Sequence, residues 1–187
     1  KLKFDPEDPN VEKKLDESSK TLVQQIDVLS YSETAFSSFA ELPAQKNEKI
    51  DLISTTKLCL EIFNDRNVVF KTDLNKLEIL FDRTNLIRII NNLVKNSIQA
   101  TNDILEPKIL VQIKKINKSA VIEIIDNGLG IPKELKEKIF EPNFTTKTKG
   151  MGLGLSIIKN LITNDKGTIS FKSKKGETVF TIKLPVD

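Results

Sequence analysis

Five of the chain's seven glycines fall between Ser119 and Asn164, in two clusters: Asp126-Asn127-Gly128-Leu129-Gly130-Ile131-Pro132 and Gly150-Met151-Gly152-Leu153-Gly154-Leu155. The first closes a β-prone run, Ala120 to Ile125, and the second opens an apolar run of helical character, Leu155 to Ile162. The order is therefore strand, glycine turn, polar segment, glycine turn, helix. Glycine adopts positive φ without strain and lets a ligand approach the backbone, so Gly-x-Gly-x-Gly at a helix start is a candidate phosphate cradle. This pattern points to a nucleotide site.

Composition removes several other chemistries. The chain of 187 residues contains no histidine, which excludes Ser-His-Asp and Cys-His nucleophile systems, histidine-ligated zinc and a histidine acid or base. Any metal must then be a hard cation held by oxygen ligands and phosphate. A single cysteine, Cys59, rules out an intramolecular disulfide and is expected as a small core residue. The net charge of +3 is mild, and the lysines are spread along the chain, which argues against nucleic acid as a partner. No apolar run approaches the roughly 20 residues that span a bilayer, and the first residues lack the apolar centre of a signal peptide. The expectation is a soluble, cytoplasmic chain with a hydrophobic content of 39%, enough for one core and an appendage.

Residues 1–10, with Pro6 and Pro9, read as an extended lead-in to a long helix from Val11 to Leu42. Leu22, Leu29 and Phe36 are spaced one heptad apart, the pattern of a helix pressed against a partner helix, on another chain or on a preceding helix. The polar joint Pro43 to Glu48 divides the chain into an appendage, residues 1–44, and a globular domain, residues 45–187. Asp51 is expected to cap an amphipathic helix carrying Leu52, Ile53, Leu58, Leu60, Ile62 and Phe63. Val68 to Phe70 and Ile79 to Phe81 are β-prone, and a helix is expected over Asn85 to Asp103, with a cap among Asp82 to Thr84. Asn92 and Asn96 stand one turn apart on that helix, with Gln99 a further turn along. Asparagine is a poor helix former, so this array asks for a reason beyond solvation. Strands at Ile109 to Ile116 and Ala120 to Ile125, a helix ending near Asn164 and a hairpin from Gly167 to Leu184 complete the domain. The class expected is α+β, a two-layer α/β sandwich with a mixed sheet and helices on one face.

The glycine clusters are neither a Walker A loop nor Gly-x-Gly-x-x-Gly. With the asparagines they resemble, in order and spacing, the ATP-binding domain of sensor histidine kinases, within the gyrase, Hsp90, histidine kinase and MutL superfamily of Bergerat-type fold. Asn91 to Ala100 resembles the asparagine box, Asp126 to Gly130 the first glycine box, Ile139 to Lys147 the phenylalanine box, and Gly150 to Leu155 the second glycine box. Four boxes in order over residues 50–187 make the match specific, and the nitrogen-regulation type of sensor kinase is the nearest flavour.

The resemblance implies ATP and Mg²⁺ as cofactors. It implies nucleotide contacts from Asn96, Asp126, Gly128, Gly130, Ile131, Phe140, Thr146, Lys147, Gly150, Gly152, Leu153 and Gly154. Asn96 would ligate Mg²⁺ through its amide oxygen. Asp126 would accept a hydrogen bond from the adenine amino group. Gly128 and Gly130 would let the backbone pass close to the base, Gly152 and Gly154 would offer N–H groups to phosphate, Phe140 and Phe144 would anchor a lid, and Lys147 or Lys149 could reach a phosphate. ATP-hydrolysing members of the superfamily carry a glutamate where this chain has Asn92, an amide that cannot take a proton at neutral pH. The γ-phosphoryl group is then expected to go to a histidine, with Asn92 orienting the imidazole.

By the same resemblance, the long helix is the second helix of a dimerisation and phosphotransfer hairpin, whose first helix bears the histidine. A chain without histidine departs from that pattern and is expected to be a fragment, or else to act on a separate chain. The partners implied are the histidine-bearing helix of the parent kinase, a response regulator receiver domain and a second copy in a homodimer, with the parent anchored in the inner membrane. The alternatives are a hydrolytic ATPase clamp of the same superfamily, a helical dimerisation module whose nucleotide domain only binds, and a serine/threonine kinase of the anti-sigma-factor type.

Overall fold

The structure, a computed structural model, describes residues 46–63, 67–145 and 152–186. The expected helix over Val11 to Leu42 lies outside them. Among the described residues seven strands and three α-helices follow in order: β1 (Glu48–Asp51), α1 (Leu52–Leu60), β2 (Val68–Thr72), β3 (Glu78–Phe81), α2 (Arg83–Ala100), β4 (Ile109–Ile116), β5 (Ser119–Asp126), α3 (Gly154–Asn164), β6 (Thr168–Lys174) and β7 (Glu177–Pro185). Five strands form one sheet in the order β2-β4-β5-β7-β6, with β2 parallel to β4 and the other pairs antiparallel. This is the mixed sheet expected.

Alternation along the central strands decides the layering. Val111 and Ile113 of β4, Ile122 and Ile124 of β5, and Phe180, Ile182 and Leu184 of β7 share one core with Leu86, Ile89, Ile90 and Leu93 of α2 and Ile158, Leu161 and Ile162 of α3. The other face is partly polar: Gln112 donates to Glu123 at 2.7 Å, and Lys114 pairs with the same carboxylate at 3.2 Å. A sheet packed on one face and wet on the other is the usual antiparallel solution, and here the helices cover one side.

The cap expected at Asp51 is present, and of the stretch Asp82 to Thr84 it is Asp82 that caps the next helix. Asp51 accepts from the N–H groups of Ile53 and Ser54 at the start of α1, and Asp82 accepts from Asn85 N–H at the start of α2. Two details differ from expectation. Helix α2 spans Arg83–Ala100 instead of reaching Asp103, because the Thr101 hydroxyl donates back to the carbonyls of Ser97 and Ile98 and closes the helix end. Leu58 and Ile62, expected on the buried face of the first helix, are 58% and 67% exposed. The face that turns inward carries Leu52, Thr55, Thr56, Cys59 and Leu60, and the chain tightens into a 3₁₀ turn at Glu61–Phe63. Cys59 is buried as expected, and burial raises its thiol pKa.

A second, two-stranded sheet pairs β1 antiparallel with β3, from Glu48 opposite Phe81 to Asp51 opposite Glu78. Asp51 also accepts from Leu77 N–H at 3.0 Å, so one carboxylate both caps α1 and fastens the approach to β3.

Candidate nucleotide site

Helix α2 supplies the floor of the site. Leu86, Ile90 and Leu93 define its buried stripe, and the next position on that stripe is Ser97, 1% exposed. Asn92 and Asn96 lie beside the stripe, half-buried. The Asn92 side-chain nitrogen donates to the carbonyl of Arg88 at 2.9 Å, one turn back. Asp126 is the last residue of β5, on the same face of the strand as Ile122 and Ile124, and is 3% exposed.

The link between the two elements is polar. The Ser97 hydroxyl donates to Asp126 Oδ2 at 2.9 Å, and Gly128 N–H donates to Asp126 Oδ1 at 3.0 Å. Burial pushes the Asp126 carboxyl above its ordinary value, and the bonds from Gly128 and Ser97 offset only part of that rise. The result is a carboxylate sunk into the core side of the sheet, oriented by two donors.

The loop after β5 is packed from both sides. A Cβ on Gly128 would lie 2.5 Å from the carbonyl oxygen of Ala100 at the end of α2, and one on Gly130 would lie 2.5 Å from the carbonyl oxygen of Lys174 at the end of β6. Gly130 also has a φ of +79°. Leu129 N–H bonds the Ala100 carbonyl, Gly176 N–H bonds the Gly128 carbonyl, and Ile131 N–H bonds the Ser173 hydroxyl at 2.8 Å. The space at these glycines is thus filled by the protein's own backbone. Asn127, which had no role assigned from sequence, bridges the segment before β4: its side-chain oxygen accepts from Lys108 N–H, and its side-chain nitrogen donates to the Glu106 carbonyl, both at 2.8 Å.

The segment after Pro132 returns to the core through aromatic side chains. Phe140 meets Phe171 edge to face with centroids 5.9 Å apart, and Lys159 Nζ sits 5.6 Å from the centroid of the Phe140 ring. Phe144 packs against the same core. A Cβ on Gly152 would collide with the backbone of Asn143 and Phe144, so the second glycine cluster leans on the phenylalanine segment. Leu153 is buried, and its carbonyl accepts from Ile157 N–H and the Ser156 hydroxyl as α3 begins at Gly154. No side chain among the described residues caps that helix start. Thr146, Lys147, Lys149 and Gly150 lie outside the described residues.

The structure therefore places Asn92 and Asn96 on α2 and Asp126 on β5, two elements that pack against each other, and α3 packs against α2. An open groove of about 690 Å³ runs past the other side of Asp126 and Asn127, lined by Val69, Leu110 and Ile125. Those three residues are on the sheet face turned away from the helices, so the groove is distinct from the predicted site. Sequence reasoning assigned no role to Ser97. The available signal was a hydroxyl on an otherwise apolar helical stripe, where a buried donor needs a partner.

The family described as histidine kinase-, DNA gyrase B- and HSP90-like ATPases matches residues 81–187. The chain belongs to this family. It is 31% identical over 147 residues to the sensory histidine kinase/phosphatase NtrB of Vibrio alginolyticus, covering 72% of this chain and 42% of that protein. It is 33% identical over 175 residues to sporulation kinase B of Bacillus subtilis, covering 90% of this chain and 40% of that protein. The chain thus spans less than half the length of these relatives. Among solved structures, the catalytic domain of histidine kinase ThkA superposes with a TM-score of 0.67 at 33% identity, covering 75% of this chain and 95% of that domain. ThkA in complex with the response regulator protein TrrA gives 0.68 at 27% identity, covering 99% of this chain and 53% of that one. The α/β sandwich described above is the catalytic-domain fold of sensor histidine kinases, and the domain is an ATP-binding one.

Proposed function

We propose that this chain is the catalytic part of a two-component sensor kinase that binds Mg²⁺-ATP and passes the γ-phosphoryl group to a histidine lying outside this sequence. The observation that carries the reading is the buried Asp126 carboxylate, fixed by Ser97 and Gly128 at the end of β5. A carboxylate so placed accepts a hydrogen bond from an amino group such as that of adenine. Gly152, Leu153 and Gly154 would present the start of α3 to the phosphates, with Thr146, Lys147 and Gly150 closing over them.

Among the described residues no group of three or more acidic, cysteine or histidine side chains could form a metal cage. An amide oxygen suits a hard cation, so Asn96 would be the protein ligand of Mg²⁺ carried by the nucleotide, with phosphates and waters as the rest. The ion would supply charge neutralisation on the triphosphate. Asn92 lies one turn before Asn96 and has no basic site for taking a proton from water, which favours transfer over hydrolysis.

The acceptor we propose is the histidine-bearing helix of a hairpin to which Val11–Leu42 would contribute the second helix, within a homodimeric parent. A receiver domain of a response regulator would take the phosphoryl group onward, as the complex of ThkA with TrrA suggests. We place the reaction in the cytoplasm, where ATP is, with the parent kinase anchored in the inner membrane. No helix among the described residues is long and apolar enough to cross a membrane.

Phosphorus NMR of Mg²⁺-ATP with the chain, followed over hours, tests this reading. The expected result is shifted and broadened phosphate lines with no growth of inorganic phosphate. Steady phosphate release that disappears in Asp126→Ala would favour a hydrolytic clamp, and unperturbed lines would overturn the nucleotide site.

A further inference from the structure

A buried carboxylate does not by itself choose adenine. On its pairing edge guanine presents two parallel N–H donors, which both oxygens of an unencumbered carboxylate can accept side by side, as they accept the fork of an arginine. Adenine offers one exocyclic amino donor beside a ring acceptor. What separates the two bases is therefore how the carboxylate plane is turned toward the base.

At Asp126 the oxygens are engaged separately, Oδ1 by Gly128 N–H and Oδ2 by the Ser97 hydroxyl. The Gly128 bond is local, two residues along the chain, and holds one oxygen. The Ser97 bond comes from a different element, 29 residues away, and fixes the plane. Ser97 has little freedom of its own, being 1% exposed on the core stripe of α2, with its carbonyl held by the Thr101 hydroxyl at 2.9 Å.

We propose that Ser97 is a positioning and specificity-determining residue of the nucleotide site: with each Asp126 oxygen already accepting one bond, the Ser97 hydroxyl fixes the carboxylate plane so that one remaining lone pair meets the single amino donor of adenine, an orientation that the two parallel donors of guanine do not match. The proposal rests on the nucleotide reading above and deepens it. Ser97 follows Asn96 directly, so the same turn of α2 would set both the metal-side contact and the base-side contact.

Titration calorimetry of the full chain with ADP and with GDP tests it, using wild type, Ser97→Ala, Ser97→Cys and Ser97→Thr, with thermal melting as a parallel readout. Wild type should prefer ADP. Ser97→Ala should weaken ADP about ten- to hundredfold, the scale of one hydrogen bond to a charged acceptor, and should narrow the ADP-to-GDP ratio because the carboxylate plane is no longer fixed. Ser97→Thr should restore both affinity and ratio. Ser97→Cys keeps the shape with a weak donor and should narrow the ratio too, which decides the matter if the alanine variant does not fold. A changed melting temperature with an unchanged ratio in a folded Ala or Cys variant would overturn the specificity role. Wild type that binds neither nucleotide would overturn the nucleotide reading and the role of Ser97 with it.

Discussion

Asp126 is a single residue whose burial and function pull in opposite directions. Its carboxyl pKa is raised by burial, so folding favours the neutral form more than the unfolded chain does. The stability it contributes is therefore present at low pH and is lost as pH rises through the raised value. The nucleotide needs the opposite state, since the charged form is the better acceptor. Acidification into the range just above the ordinary aspartate value of about 3.9 should weaken ADP binding while the carboxyl's own effect on folding becomes favourable. Asp126→Asn should separate the two: the amide keeps an oxygen for Gly128 N–H, and the Ser97 hydroxyl can reverse its role. We expect an unchanged or higher melting temperature together with ADP affinity lower by about tenfold or more, read by calorimetry. A large loss of stability in that variant would mean that the carboxylate is a structural anchor first.

The loop joining β5 to the next segment shows how one sequence motif can serve packing. Gly-x-Gly invites the reading that the backbone must approach a base, and the structure gives another reason at the same positions. Ala100 and Lys174 carbonyls occupy the space a side chain would need at Gly128 and Gly130. Backbone atoms cannot swing aside as a flexible side chain can. Gly128→Ala should therefore destabilise the domain by about 1–3 kcal/mol from overpacking. Gly130→Ala should cost more, because a further 1–2 kcal/mol comes from its positive φ. Urea unfolding would measure both. If stability holds and only ATP affinity falls, the glycines serve the ligand and not the fold.

At the scale of the whole molecule, the sheet and its helices bring together elements far apart in sequence. Helix α2 packs against β5 and α3, so the asparagine turn of the helix layer meets the sheet strand that ends in Asp126. What the chain lacks is an acceptor, since it contains no histidine. Incubated alone with γ-labelled ATP, it should acquire no acid-labile label. Adding a separate helical hairpin bearing a histidine should yield label on the hairpin, and Asn96→Ala should reduce that label at least tenfold if the amide holds the metal that neutralises the phosphates. Label appearing on the chain itself would point to a different acceptor and a different reaction class.

Most of the elements were legible in the sequence because their causes are local. Aspartate caps at Asp51 and Asp82, alternation in β4 and β5, the Lys174-Lys175-Gly176 turn and the 3.6-residue periodicity of α2 each act within a few positions of themselves. The four boxes were legible for the same reason, as short stretches whose order is a property of the chain. The β1–β3 sheet was not, because Glu48–Asp51 has one apolar residue that becomes buried and a partner some thirty positions away. Nor was the exposure of Leu58 and Ile62, which depends on where a nine-residue helix turns into a 3₁₀ end. The sequence by itself determined the class of fold, the family and the residue types at the candidate site. Only the tertiary structure decided which donor orients Asp126 and what fills the space beside the glycines, because both depend on atoms from distant elements meeting within hydrogen-bond or van der Waals distance.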